Sequence, residues 1–271
     1  MNIKDFKKLC DVIYRRVGIL IEERKYDSLS KKIEKLIKEK GYEDFRSFFH
    51  ALRFKDETLM QDIINLVTVN ETYFFRENYQ FEVLINNILP QMDKELPSNE
   101  VIRILCSPTA TGEEAYSIAL HLLAEGKLVE KRDFEIIGID IDSNVIAKAK
   151  RGIFSKRSVQ FLPPNLLNKY FKKINDNYYE IDKFLRDVIT FKVVNVMDKF
   201  AMKRLGKFNI IFCRNMLIYF DDKSRKEVAM TFYDMLKPKG YIFLGHAESM
   251  NRIVSVFKTV KIGNTIVYQK P

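Results

Sequence analysis

Charged and amide side chains directly follow three apolar segments beyond residue 100, where they are well placed to bind a small ligand. The first segment, VIRIL, leads into CSPTATGEEAYS, in which Glu113 and Glu114 open a predicted helix. A carboxylate suits the positive end of a helix, and it would also attract an ammonium or sulfonium group. The loop has a single glycine, Gly112, where a dinucleotide-binding loop would have three. Either glutamate could bind a cation, and stabilisation of the helix alone is the alternative.

The other two segments end in an acidic loop and in an arginine-asparagine pair. FEIIGIDID places Asp140 and Asp142 at the end of a predicted strand, where an acid can bind both hydroxyls of a ribose. Asp142 could instead cap the next helix, whereas Asp140 would otherwise lie unpaired at a buried strand end. In FCRNMLIYF, Arg214 and Asn215 follow a hydrophobic strand, where a purely structural sequence more often has turn residues.

The elements that must position these loops change in type near Val101. Before it, apolar residues recur at helical spacing, which predicts helices from Ile3 to Gly18, from Tyr26 to Lys40, and near 42–52 and 57–66. After it, short apolar runs alternate with helical stretches, which predicts buried parallel strands with helices on both faces. The ligand of such a sheet lies at the carboxyl ends of the strands, where the three loops would converge.

Two regions depart from this alternation. The final NTIVYQK follows YIFLG too closely for a helical crossover, so we expect an antiparallel edge strand there. Pro163 and Pro164 interrupt the stretch at about 155–190, which predicts an inserted antiparallel β-subdomain. The predicted fold is therefore α/β, with a doubly wound, mostly parallel sheet in residues 70–271 and a small all-helical N-terminal domain in residues 1–69.

Composition limits the classes of partner. The 271 residues carry a net charge of +10, and no apolar run approaches the roughly 20 residues that span a bilayer, so we expect a cytoplasmic protein without direct membrane insertion. Cys10, Cys106 and Cys213 lack metal-ligand spacing and there are three histidines, so no metal site is predicted. The positive charge favours an acidic partner, although a generally basic composition would produce it as well.

The second predicted helix has a basic stripe. Arg24, Lys31, Lys35 and Lys38 fall on one side of it by helical spacing. The stripe could bind an acidic partner, or it could be an ordinary solvated face.

Five strings occur in an order and at distances that resemble one protein family. VNETYFFRE, TGEEAYSIA, GIDID, FCRNMLIYF and LGHAES together resemble the glutamate methyltransferases (CheR) that modify the receptors of bacterial chemotaxis. The resemblance runs from about Phe6 to the C-terminus. It implies a class I methyltransferase domain, S-adenosylmethionine as cofactor with S-adenosylhomocysteine as product, and the cytoplasmic helices of receptors as substrate. We expect a monomer that does not bind nucleic acid.

The resemblance also implies roles for individual residues. Residues implied to contact the cofactor are Asn70, Thr72, Arg76, Glu113, Asp142, Asn195, Val196, Arg214 and Asn215. Asp140 is the alternative ribose ligand. Arg76 and Tyr219 would orient the reacting groups. The charge of the stripe of Lys31, Lys35 and Lys38, and not the resemblance, predicts that it recognises the acidic receptor helices.

The implied chemistry needs no general base. A glutamate with a pKa of about 4.3 is already ionised at neutral pH, so it can displace the methyl group from sulfur directly. The candidate loops contain no histidine, which agrees with this mechanism. The ester is neutral, so each transfer removes one negative charge from the receptor.

The sequence departs from the usual family pattern at three positions. The family commonly has tryptophan at Leu105, a small residue at Pro108 and proline at Ala115. Pro108 removes an N–H from the loop expected to surround the methionine end of the cofactor. A non-catalytic receptor adaptor and a nucleic-acid methyltransferase are the alternative functions.

Overall fold

The structure, a computed structural model, describes residues 1–54, 56–125 and 127–271. Helices form the N-terminal part, and a sheet flanked by helices forms the rest. Among the described helices, none has both the length and the apolar character needed to cross a membrane.

Amphipathic helices build the N-terminal part around their own core. Phe6, Ile33 and Ile63 are each at most 1% exposed, because apolar residues recur at helical spacing. The first helix ends at Gly18, whose φ of 73° is the left-handed conformation that glycine adopts readily. The helices are α1 (Ile3–Val17), α2 (Tyr26–Glu39), α3 (Phe45–Arg53) and α4 (Glu57–Val67).

Strands and helices alternate through most of the remaining chain. The helices are α5 (Asn78–Val83), α6 (Leu89–Glu95), α7 (Glu113–Glu125), α8 (Ser143–Arg151), α9 (Pro164–Tyr170), α10 (Lys183–Val188), α11 (Lys199–Arg204) and α12 (Asp222–Met235). The strands are β1 (Ile102–Cys106), β2 (Phe134–Asp140), β3 (Ile153–Ser155), β4 (Phe171–Lys173), β5 (Tyr178–Ile181), β6 (Ile189–Val193), β7 (Phe208–Cys213), β8 (Leu236–Leu244), β9 (Lys258–Ile262) and β10 (Thr265–Gln269).

The larger sheet is mostly parallel, with the order β6-β2-β1-β7-β8-β10-β9. Strands β6, β2, β1, β7 and β8 pair in parallel, and β10 pairs antiparallel with β8, as expected for NTIVYQK. The outermost strand is β9, which the sequence did not indicate, so a hairpin rather than one strand forms this antiparallel edge. The chain runs to opposite sides of β1 for β2 and β7, which creates the switch point where ligands bind. The predicted fold class is confirmed.

Both faces of the larger sheet are buried. Ile104 and Phe212 pack on the side that carries α7, whereas Leu105 and Ile211 pack on the side that carries α12. Successive strand residues point to opposite faces, so apolar runs without polar interruption are needed here.

A small antiparallel sheet lies near the stretch at about 155–190 where an inserted subdomain was predicted, and its first strand begins at Ile153. Strands β3, β5 and β4 form a separate three-stranded sheet in that order. Its Phe154 and Phe171 lie with their ring centres 4.8 and 5.2 Å from that of Phe74, so this small sheet packs on the chain segment that leads into the larger domain.

The helical part contacts the larger sheet through hydrogen bonds. Ile19 and Phe220 form an isolated antiparallel bridge, and the N–H of Leu20 donates to the carbonyl of Tyr219 at 2.9 Å. Gln61 Nε2 donates to the carbonyl of Ile141 at 2.8 Å. These contacts hold the helical part against the carboxyl ends of the strands.

Candidate functional site

A cavity lies where the helical part meets the carboxyl ends of β1, β2, β6 and β7. It contains most of the residues that the sequence singled out. Those that line it are Asn70, Thr72, Arg76, Asp140, Asn195, Val196, Arg214, Asn215 and Tyr219. Residues outside its lining are Glu113, Asp142, Lys31, Lys35 and Lys38.

The two aspartates after β2 have different positions. Asp140 is 5% exposed, lines the cavity, and accepts from the N–H of Ala110 at 2.9 Å and from the N–H of Asp142 at 3.0 Å. Burial raises the pKa of Asp140 to about 6. A carboxylate has acceptor capacity beyond two hydrogen bonds, so Asp140 can still accept from a diol.

Both carboxylate oxygens of Asp142 accept hydrogen bonds from other groups of the protein. Its Oδ1 caps α8 by accepting from the N–H groups of Asn144 and Val145, and its Oδ2 accepts from Thr68 Oγ1 and Asn70 Nδ2, each at 2.7 Å. The sequence left Asp140 and Asp142 as alternative ribose ligands. The contacts make Asp142 a support for Asn70 and leave Asp140 facing the cavity.

The two glutamates after Gly112 also divide their roles. Glu113 is 3% exposed and accepts from Thr111 Oγ1 at 2.6 Å and from Ser158 Oγ at 2.7 Å, so it connects the ligand loop to the inserted subdomain. Glu114 lines the cavity. Neighbouring residues on a helix point about 100° apart, so Glu113 lies outside the cavity lining, and its implied contact with the cofactor stays a prediction.

Arg214 pairs with Glu114 inside the cavity. The Arg214 side chain is 3% exposed, its Nε lies 3.4 Å from Glu114 Oε2, and its Nη2 lies 3.7 Å from Glu77 Oε2. Nη2 also donates to the carbonyl of Arg76. Burial raises the pKa of Glu114 to about 7, and Arg214 opposes this rise.

Several buried polar atoms at the cavity lack a hydrogen-bond partner among the described residues. They are Nε and Nη1 of Arg214, Oε1 of Glu114 and Oγ1 of Thr109. Buried polar groups are normally paired, so this group indicates a polar ligand. S-adenosylmethionine offers an ammonium group for Glu114, a ribose diol for Asp140 and a carboxylate for a guanidinium. The residues present therefore fit the cofactor that the resemblance implies.

The loop that contains Pro108 is held by its own N–H groups. Ser107 donates to the carbonyl of Phe212 at 2.8 Å, and Thr109 donates to the carbonyl of Ile139 at 2.8 Å. Ala110 donates to Asp140. The N–H groups on both sides of Pro108 thus bind the sheet and not the cavity.

The segment 70–76 carries Arg76 in a constrained backbone. Phe75 and Glu77, on either side of it, have φ values of 62° and 55°, which bulky residues rarely adopt. Phe74 is fully buried against the inserted subdomain, and Arg76 Nη1 donates to the carbonyl of Glu71 at 2.8 Å. Strained backbone conformations of this kind cluster at functional sites. Here the two strained residues fix the position of the Arg76 backbone, and so the direction from which its side chain starts.

Tyr219 and Lys25 lie at the side of the cavity next to the helical part. Lys25 Nζ is 5.9 Å from the centre of the Tyr219 ring, and both residues line the cavity. Burial raises the pKa of Tyr219, so its hydroxyl stays protonated and can donate. Sequence reasoning missed Lys25 because it lies in a 3-10 turn just before α2.

Asn195 and Val196 follow β6 and lie near the start of the interdomain contact. Asn195 Nδ2 donates to the carbonyl of Arg16 at 2.8 Å, and its Oδ1 accepts from the N–H of Met197 at 3.0 Å. Asn195 is half-buried, whereas Val196 is 8% exposed.

The predicted basic stripe lies on the surface of α2. Lys31, Lys35 and Lys38 are exposed, and Lys35 Nζ lies 3.6 Å from Glu39 Oε1. Lys35 is ten residues beyond Lys25, which corresponds to about 15 Å along a helix. Lys31, Lys35 and Lys38 are not in the cavity lining, so the stripe is not part of the cavity.

Two family models match consecutive parts of the chain. Residues 4–68 match the model "CheR methyltransferase, all-alpha domain", and residues 70–266 match "CheR methyltransferase, SAM binding domain". Together they cover nearly the whole sequence.

Curated relatives match over almost their full lengths. A chemotaxis protein methyltransferase 2 of Vibrio cholerae is 41% identical over 268 residues, which cover 98% of this chain and 93% of that protein. A chemotaxis protein methyltransferase of Borreliella burgdorferi is 32% identical over 91% of this chain and 88% of its own. One from Salmonella typhimurium is 30% identical over 93% of this chain and 86% of its own.

Proposed function

The chain belongs to the CheR methyltransferase family, and we propose that it transfers methyl groups to glutamate side chains of chemotaxis receptors. Its cofactor is S-adenosylmethionine, and it acts in chemotaxis. The glutamate, the receptor and the role of each residue are the proposed parts. The observation that carries them is the group of unpartnered polar atoms of Arg214, Glu114 and Thr109 in a cavity that also contains Arg76 and Tyr219.

The residues of the cavity divide into two groups by position. Asp140, Glu114 and Arg76 would hold the diol, ammonium and carboxylate groups of the cofactor. Asn195 and Val196 would lie along its adenosine part. The bound cofactor supplies a methyl group on a positively charged sulfur. Asn70 keeps the segment with Arg76 next to β2 through its hydrogen bond with Asp142.

The substrate carboxylate would enter beside Tyr219. The Tyr219 hydroxyl can donate to one carboxylate oxygen and leave the other free to react. Lys25, which also lines the cavity, attracts the anion and disfavours a neutral glutamine. A carboxylate that is ionised at neutral pH needs no base, so these residues would align groups and would not remove protons.

We assign receptor recognition to the helical part. Its basic stripe lies on the exposed surface of α2, the helix that begins directly after the cavity residue Lys25, so it can attract the acidic surface around a substrate glutamate. The cavity is closed on one side by α1 and the turn before α2, so a substrate must contact both parts of the protein.

The proposal is tested by transfer of labelled methyl to a receptor cytoplasmic fragment. The product should release labelled methanol in mild alkali, because a glutamate methyl ester hydrolyses whereas an N-methyl group does not. A fragment whose candidate glutamates are changed to glutamine is the matched control and should take up no label. Alkali-stable label, or stable label on RNA, would refute the carboxylate assignment, and cofactor binding without transfer would favour an adaptor.

A further inference from the structure

The backbone that leads to Arg76 is held by two serines from distant parts of the chain. The N–H of Phe74 donates to the carbonyl of Ser158 at 3.0 Å, in the turn after β3. The N–H of Phe75 donates to Ser117 Oγ of α7 at 3.1 Å. The inserted subdomain therefore holds one residue of this segment, and α7 holds the next.

The same segment has a strained backbone. Phe75 and Glu77 have positive φ values of 62° and 55°. Between them, the carbonyl of Arg76 accepts from Nη2 of Arg214, which follows β7. A strained conformation persists only where the surrounding structure determines it, so the segment depends on these hydrogen bonds for its course.

Glu113 joins the two serines. Ser158 Oγ donates to Glu113 Oε1 at 2.7 Å, and Ser117 Oγ donates to the carbonyl of Glu113 at 2.6 Å. Thr111 Oγ1 donates to the other carboxylate oxygen at 2.6 Å. Both serines and Glu113 are buried. The inserted subdomain, α7 and the segment before Arg76 therefore form one buried hydrogen-bonded group.

Aromatic packing supports the same arrangement. Phe74 packs on Phe154 and Phe171 of the small sheet, and the ring centre of Phe75 lies 4.4 Å from that of His121 on α7. Both phenylalanine side chains are therefore buried away from the cavity. The next residue along the chain, Arg76, lines the cavity.

We propose that Ser117 and Ser158 are positioning residues for the cofactor, because they hold the backbone from which Arg76 reaches the cofactor carboxylate. This inference rests on the proposed role of Arg76. Neither serine lines the cavity, so both act through the segment and not by contact with the cofactor. The inserted subdomain, through Ser158, thereby contributes to cofactor binding from outside the cavity.

The loss of either hydroxyl should move the segment. Ser117→Ala leaves the N–H of Phe75 buried without an acceptor, and Ser158→Ala removes a donor from the buried carboxylate of Glu113. A buried polar group without a partner is costly, so the backbone would shift to satisfy it. A small displacement of Arg76 is enough to break a bidentate contact, whose geometry is exacting.

The first experiment compares two ligands by calorimetry. S-adenosylhomocysteine has the carboxylate, whereas methylthioadenosine lacks the amino-acid part. Ser117→Ala and Ser158→Ala should each weaken S-adenosylhomocysteine binding about tenfold and change methylthioadenosine binding less than about twofold. Ser30→Ala is the control and should change neither, because Ser30 is also a buried helical serine whose hydroxyl donates to a carbonyl in the preceding turn. Equal losses for both ligands, or no loss for either, would overturn the inference.

The second experiment repeats the two serine changes in an Arg76→Ala background. There each should weaken S-adenosylhomocysteine binding by less than about a further twofold, because the arginine that they position is gone. Ser158→Thr retains the hydroxyl and should keep the affinity of the parent.

Denaturation curves establish that each variant is folded, and each serine is tested independently, so a variant that does not fold leaves the other to decide. The same tenfold loss in both backgrounds would overturn the inference. Parent-like affinity of Arg76→Ala itself would instead refute the proposed role of Arg76.

Discussion

The carboxylate of Glu248 accepts a hydrogen bond from the backbone N–H of Asn215 at 2.8 Å. It also accepts from the N–H of Leu217 at 2.8 Å and from that of Gly245 at 2.9 Å. Asn215 has a φ of 58°, so the loop after β7 depends on outside contacts to keep this conformation. Glu248 therefore fixes both Asn215 and the turn that leads to Tyr219.

We expect Glu248→Gln to weaken cofactor binding and to lower kcat. The amide places an N–H₂ group against backbone donors, and a lost hydrogen bond to a charged group costs about 1.5–3 kcal/mol. Cofactor affinity by calorimetry and kcat with a receptor fragment measure the effect. The control is Glu43→Gln, on the exposed surface of the helical part. Parent-like affinity and kcat in Glu248→Gln would remove Glu248 from the supports of the site.

The two aspartates after β2 give a direct comparison. Asp140→Asn should lower cofactor affinity about tenfold or more, because a charged acceptor for the ribose is lost. Asp142→Ala should lower the free energy of unfolding by about 1 kcal/mol through loss of the α8 cap, with a smaller effect on affinity. Calorimetry and chemical denaturation separate the two effects. A larger loss of affinity in the Asp142 variant would reassign the ribose to Asp142.

The parallel strands could be predicted from the sequence because a strand that is buried on both faces needs apolar residues along its whole length. FEIIGID and FNIIFC are buried on both faces, and they match β2 and β7 residue by residue. Strand β9 could not be recognised, since KTVKI is short and has two lysines and a threonine among its five residues in a partly exposed hairpin. Its identity as a strand depends on pairing with β10, which the sequence of β9 does not encode by itself.

The candidate site was predictable in its loops but not in the direction of each side chain. The sequence could not decide between Glu113 and Glu114, because it does not reveal that Ser158 from the inserted subdomain donates a hydrogen bond to Glu113. Lys25 and Glu248 reach the site only through contacts between distant parts of the chain. Thr68 and Asn70 similarly engage Asp142 across more than seventy positions.

The raised pKa of Glu114 predicts how stability depends on pH. In the ligand-free protein this pKa is about 7, above the usual value of 4.5, so between those values the folded state holds a proton that the unfolded state has released. The free energy of unfolding should therefore fall as pH rises from about 4.5 to 7, by on the order of 3 kcal/mol from this group. Denaturation at pH 5, 6, 7 and 8 should show a flatter dependence in Glu114→Gln. The same slope in both proteins would contradict the assignment.

Charge reversal tests the basic stripe. The triple change Lys31→Glu, Lys35→Glu and Lys38→Glu should raise KM for a receptor fragment several-fold and reduce its dependence on salt, while cofactor affinity stays constant. A matched control reverses three exposed lysines elsewhere in the protein, namely Lys94, Lys127 and Lys131. If both triple variants change KM equally, net charge and not the stripe is responsible, and no change in either would make the stripe a solvated face.

Arg76 is the residue we expect to bind the cofactor carboxylate. Both arginines line the cavity, but Arg214 already lies close to Glu77 and Glu114, whereas Arg76 Nη1 contacts the carbonyl of Glu71. Its guanidinium can hold a carboxylate through two parallel hydrogen bonds. Arg76→Ala should therefore weaken cofactor binding by about 2 to 4 kcal/mol.

The conservative variant separates geometry from charge at Arg76. Arg76→Lys should recover only part of the lost affinity, because an ammonium group cannot reproduce the planar fork. The fold should survive both changes, since Phe74 is the fully buried residue of this segment. The control is Arg252→Ala, an exposed arginine away from the cavity. If Arg76→Ala keeps cofactor affinity within twofold of the parent and changes only the melting temperature, segment 70–76 does not bind the cofactor through this arginine.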